Sequence, residues 1–118
     1  MKLPTLTYNA AAHFATIEKY PDGLASAIMG TDRASFDAAC WALSELSTQS
    51  ELIRRDLGYE KRPLLPPEYF ALRLKFPDLI SAKEQILEAM SKGLNIEDEN
   101  DEVDEVLREL QKKTENRG

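Results

Sequence analysis

The groups in this sequence from which chemistry could be built are one histidine, one cysteine and a run of carboxylates. His13 stands among alanines in AAAHFATIEK. A lone histidine in such a setting is more often a packed or surface residue than a general base. Cys40 lies in AACWAL, an apolar context that raises a thiol's pKa and leaves it inert. One histidine and one cysteine fall short of the three or four ligands that zinc requires. No GxxxxGK[ST] loop is present, and no glycine-rich loop follows a strand. Asp98, Asn100, Glu102, Asp104 and Glu109 fall at positions 1, 3, 5, 7 and 12 of a calcium-loop count. The sixth position, where glycine makes the sharp turn, is Val103, and the apolar eighth is Glu105. An acid-rich segment meets such a count by chance. The expectation is a chain with no catalytic residue, no metal and no cofactor, one that works by binding other proteins.

The elements that would carry such binding must fit in 118 residues, one domain's worth. No run of about 18 apolar residues is available to span a membrane. The opening MKLPTLTYN is broken by Pro4 and by polar Thr5, Thr7 and Asn9, unlike a secretion signal. A single cysteine excludes an internal disulfide framework, and a cytoplasmic setting is expected. The net charge of −6 is unevenly placed. Glu97 to Glu105 hold seven acids, and without them 14 acids face 15 bases. A block of like charges at that density is expected to stay solvated and mobile. Two regions follow: a helical domain over 1–96, then an acidic linker and C-terminal helix over 97–118.

Caps and periodicity predict an all-α domain, with at most a short extended piece from Leu3 to Tyr8. Asn9 caps a helix to about Lys19 with Phe14 and Ile17 on one side. Tyr20-Pro21-Asp22-Gly23 is a turn. A short helix capped by Asp22 and carrying Leu24, Ile28 and Met29 ends at Gly30. Asp32 or Ser35 opens the most apolar helix, with Phe36, Ala39, Cys40, Leu43 and Leu46 at helical spacing. Thr48 to Glu51 has capping-box spacing, so a new helix is expected there, burying Leu52, Ile53 and Leu57 before Gly58. Pro63, Pro66 and Pro67 break the chain, and Pro67 suits a first turn carrying Phe70, Leu72 and Leu74. Pro77 starts a helix to about Lys92, with Leu79, Ile80, Ile86, Leu87 and Met90 inward and Gly93 as its stop. Val103, Val106, Leu107 and Leu110 form one stripe on a last charged helix. No internal repeat is present.

Arg54, Arg55, Lys61, Arg62, Arg73 and Lys75 give the middle of the chain a basic flavour, diluted by Asp56, Glu60 and Glu68. With a pI of about 4.8 the chain lacks the footprint of a nucleic-acid-binding domain. Ala38 to Leu43 are apolar all round their helix, so that helix is either buried or shared with a partner. A small domain has difficulty enclosing a helix completely. Phe36, Trp41, Leu43 and Leu46 are therefore candidate protein-interaction residues, together with Val103, Val106, Leu107 and Leu110. Trp41 is either part of an exposed face or the core anchor.

The order of these features resembles the tail assembly chaperones of long-tailed bacteriophages. The likeness is carried by LTYNAAAHFATIEKY, the glycine-containing DGLASAIMG, the aromatic-bearing DRASFDAACWALSEL, and a charged C-terminal tail. It covers roughly residues 5 to 57 and the character of the tail. The resemblance implies a self-associating protein that coats the tape measure protein and keeps it soluble. It also implies a longer frameshifted form that recruits tail tube protein. Gln111-Lys112-Lys113 is encodable by an A-rich slippery heptamer, as a frameshift near the end of the short form requires. A different class of function is a small acidic regulatory or adaptor protein that binds a basic partner through its last helix.

Overall fold

In the computed structural model, residues 1–94 are described; the acidic block, the expected last helix with Val103, Val106, Leu107 and Leu110, and the calcium-type spacing lie outside them. The described residues form five helices and no strand. They are α1 (Ala10–Lys19), α2 (Leu24–Met29), α3 (Arg33–Asp56), α4 (Pro67–Arg73) and α5 (Phe76–Gly93).

Several ends follow the expected chemistry. The Asn9 side chain accepts from the Ala12 N–H at 2.9 Å, and Asp32 accepts from the Ser35 N–H at 3.0 Å. Pro67 opens α4, and Pro77 sits in the first turn of α5. The start of α2 differs. Its cap is Gly23 at φ 112°, not Asp22, because the turn leaves the chain in a conformation that a side chain would strain.

The expected restart at Thr48 to Glu51 does not occur. α3 is one helix of 24 residues, and those polar residues tether the irregular segments around it. The Leu46 carbonyl accepts from the Thr7 N–H at 3.1 Å. Ser50 bonds Thr7 through their hydroxyls at 2.6 Å, and Gln49 accepts from Asn9 at 3.1 Å. On another side, Ser44 donates to the Leu65 carbonyl at 2.6 Å. The Leu3–Tyr8 piece thus pairs with a helix, where its backbone N–H finds the satisfaction that a sheet would have given it.

α3 is the central element, with α1, α2, α4 and α5 all packed on it. Ala38, Ala39 and Ala42 let these neighbours approach closely, and Leu24, Ile28, Leu43, Leu46, Phe70 and Ile86 fill the space between. A small domain does enclose the middle of this helix, because alanines keep it thin. Leu43 and Leu46 are core residues with no exposed surface and are not available to a partner in this fold. On α1 the inward residues are Ala12 and Thr16, while Phe14 and Ile17 face outward. Thr16 is buried without penalty because its hydroxyl donates to the Ala12 carbonyl at 2.7 Å. Leu52, Ile53, Leu57 and Ile80 are also exposed, contrary to their expected inward placement, and so are Met29 and Leu72.

Candidate protein-binding groove

Cys40 is enclosed in the core, and burial pushes its thiol up to about 11, so it is no nucleophile at neutral pH. His13 Nδ1 is hydrogen-bonded to the Tyr8 hydroxyl at 2.8 Å, and its ring packs edge-on to Tyr8 and Phe14. That is a structural role at the start of α1.

Two of the basic side chains of the middle segment, Arg54 and Arg55, are organised around one carboxylate. Glu51 is nearly buried and accepts from Arg54 at 2.6 Å, from Arg55 at 2.9 Å and from the Arg62 backbone N–H at 2.8 Å. The same two arginines donate onward to the Glu60 and Arg62 carbonyls. The Arg62 N–H first, and the two guanidinium groups with it, hold the Glu51 carboxyl down at about 2. The cluster pins the loop between α3 and α4 to the flank of α3. Sequence reasoning met Glu51 only as the end of a capping-box spacing; the signal for its role was an acid set three and four residues before two arginines.

The feature left open is a groove of about 630 Å³ between the start of α3 and the first half of α5. Its apolar lining comes from Phe36, Leu74, Phe76, Leu79 and Ile80, and its rim carries Asp32, Arg33, Lys75 and Lys83. α5 turns Ala82 and Ile86 into the core, and a shoulder of the same helix presents Phe76 and Ile80 to the groove. These two side chains are 83% and 63% exposed, on a surface where a solvated helix would carry polar residues. Phe36 is half-buried between core and groove, with the Arg33 guanidinium 5.8 Å from its ring centroid.

The rim carries a small positive excess. The Asp32 carboxylate stays ionised, its pKa lowered first by hydrogen bonding from Ser35 and in lesser part by the Lys83 charge, and Arg33 pairs with Asp37 at 3.0 Å. Lys83 donates to the Gly30 carbonyl at 2.9 Å, and neither Lys75 nor Lys83 has a carboxylate partner among the described residues.

Trp41 lies elsewhere. It is half-buried, edge-on to Tyr20 with ring centroids 5.5 Å apart, beside a smaller hollow shared with Pro67 and Ala71. Of the candidate residues within 1–94, Phe36 alone reaches the groove. Sequence reasoning missed Phe76, which precedes Pro77 and reads as a boundary residue, and placed Ile80 inward.

No helix among the described residues is long and apolar enough to cross a membrane. Compared with protein-family models, curated proteins and solved structures, the chain has no match.

Proposed function

We propose that this protein is a tail assembly chaperone of the long-tailed bacteriophage type, and that the groove between α3 and α5 is where it holds an apolar helical segment of its client. The observation that carries the proposal is the uncovered aromatic and aliphatic groove in a domain whose core is otherwise filled. A patch of that kind beside a closed core is characteristic of an interaction site. Its form, a trough between two helices lined by ring and branched side chains, suits an amphipathic helix laid along it. The tape measure protein, long and helical with an apolar side, is a client of that chemistry. Coating it requires many copies, each binding weakly, which a single small, open groove provides. The longer frameshifted product would carry the same groove and add the contact to tail tube subunits.

The test is co-expression with the tape measure protein encoded nearby. The chain should raise the soluble fraction of that protein, and full-length Phe76→Ser and Ile80→Ser variants should lose this effect while melting normally. Normal solubilisation by both variants would remove the groove from the function. Failure of the unaltered chain would remove the chaperone assignment.

A further inference from the structure

We propose that the groove between α3 and α5 is covered, in the free protein, by this chain's own segment 97–113, whose last part, from about Val103, docks intramolecularly as an amphipathic helix while its acidic first part passes along the rim. The inference rests on the groove being a protein-binding site and adds what occupies it before a client arrives. Three observations converge on this occupant. The first is charge: the rim's Lys75 and Lys83 form no salt bridge among the described residues, leaving a positive excess that only Asp32 and Asp78 offset at longer range, and the segment brings seven acids between Glu97 and Glu105. The second is pattern. Val103, Val106, Leu107 and Leu110 fall at i, i+3, i+4 and i+7, the anchor spacing of a helix lying in a groove. Opposite them would stand Phe36, Phe76, Leu79 and Ile80.

The third observation is reach. α5 ends at Gly93, and the groove lies along the first half of that same helix. From Gly93 back to Ile80 the axis rises about 20 Å, at about 1.5 Å per residue. The stretch 95–102, fully extended, spans up to about 27 Å. A helix beginning near Val103 therefore returns antiparallel to α5 without strain on the connection. Apolar surface and acidic block then neutralise each other's liabilities: exposed rings in one case, self-repulsion in the other. A client helix would have to displace the segment, so its apparent affinity is reduced by the fraction of chains that are open.

The experiment uses the full chain with Thr114→Cys carrying a nitroxide, since Cys40 is buried and does not compete for the label. Methyl signals of Leu79 and Ile80 should broaden when label and observed methyls share a chain. They should stay sharp when the label is on a second, unobserved copy. Broadening should vanish in the Leu107→Ser/Leu110→Ser double variant and fade as salt is raised. Sharp groove signals throughout, broadening only between copies, or broadening that survives the double variant would each overturn intramolecular docking. The double variant should also bind client several-fold more tightly, as an unblocked groove requires. The two proposals fail separately. If Ile80→Ser abolishes client capture but the nitroxide leaves the groove untouched, only the covering segment is wrong. If the segment docks and client capture survives Ile80→Ser, the groove is not the client site.

Discussion

The middle of α3 and its first turns contain the same kinds of side chain and meet opposite fates. From Ala38 to Leu46 the helix is packed by its neighbours, and its apolar residues except half-buried Trp41 are buried. At Phe36 only part of the ring is covered, and the facing residues of α5, Phe76 and Ile80, are open. The far end of α3 is also thinly covered, with Leu52, Ile53 and Leu57 exposed. Four short helices can surround the centre of a long one but not its ends. Burial here is decided by how many elements arrive at a position, and hydrophobicity alone does not distinguish the closed region from the open one.

The closed region should be intolerant of lost volume. Phe70, on short α4, has no exposed surface and closes the core against α3. Phe70→Ala should cost about 3–5 kcal/mol, from lost transfer energy and the cavity left behind. Against a total stability of about 5–15 kcal/mol that approaches unfolding. Urea denaturation measures it, and a cost below about 1 kcal/mol would show that α4 is not part of the closed region.

A smaller loss should follow where the N-terminal segment crosses the end of α5. A Cβ at Gly93 would collide with the Tyr8 backbone carbonyl, and backbone cannot swing aside as a side-chain tip can. Gly93→Ala should therefore destabilise by about 1–3 kcal/mol, through displacement of the segment that carries Tyr8 into the core. Thermal melting with unchanged helical content would reveal it; an unchanged midpoint would mean that the crossing is loose.

The Glu51 cluster supplies a pH-dependent test at the lightly covered end of α3. Its carboxyl is held at about 2 in the folded chain, against 4.5 ordinarily. The depressed value means that this stabilisation is fully present above pH ~4.5 and is lost as pH falls toward ~2. Asp32 and Asp78 are lowered in the same direction by hydrogen bonds at their helix starts. Glu51→Gln should lower stability at neutral pH and flatten the acid limb, in melts recorded from pH 7 to pH 2. An unaltered acid limb would mean that the carboxylate does not tether the Arg62 loop.

What was legible in the sequence were the punctuation marks. Asn9, Asp32 and Pro67 do at helix starts what their chemistry dictates, and Gly30 and Gly93 fall at helix ends. What was not legible was which of two apolar faces turns inward. On α1 the choice fell to Ala12 and Thr16 over Phe14 and Ile17, because close approach to α3 favours small residues. Local pattern also misread Thr48 to Glu51 as a start. Those residues bond to segments more than ten positions away in several cases, including Thr7, Asn9 and Arg62. The groove was half visible, through Phe36 alone, since its other wall depends on how α5 is rotated.

The sharpest division between the two regions runs within α5 itself, between two isoleucines six positions apart. Ile86 has no exposed surface, while Ile80 is 63% exposed and lines the groove. Ile86→Ala removes buried methyl groups and should cost about 2–5 kcal/mol. Ile80→Ala removes methyl groups that residues 1–94 leave exposed, so its cost should stay within about 0.5 kcal/mol where the acidic segment is undocked, and the docked segment adds to that cost in the unaltered chain. Its effect should appear in binding instead: an anchor residue at the centre of a groove is worth at least about 1–2 kcal/mol, roughly tenfold in affinity. Denaturation curves and client-binding titrations of the two variants together give the comparison. If Ile80→Ala proves as costly to folding as Ile86→Ala, then something intramolecular covers Ile80 tightly. The double Leu107→Ser/Leu110→Ser background identifies it, since there the cost of Ile80→Ala should fall back to near zero. If that background leaves the cost high, the cover is not the acidic segment. If Ile80→Ala changes neither folding nor binding, the open region is plain solvent-facing surface and the difference between the two halves of the molecule carries no function.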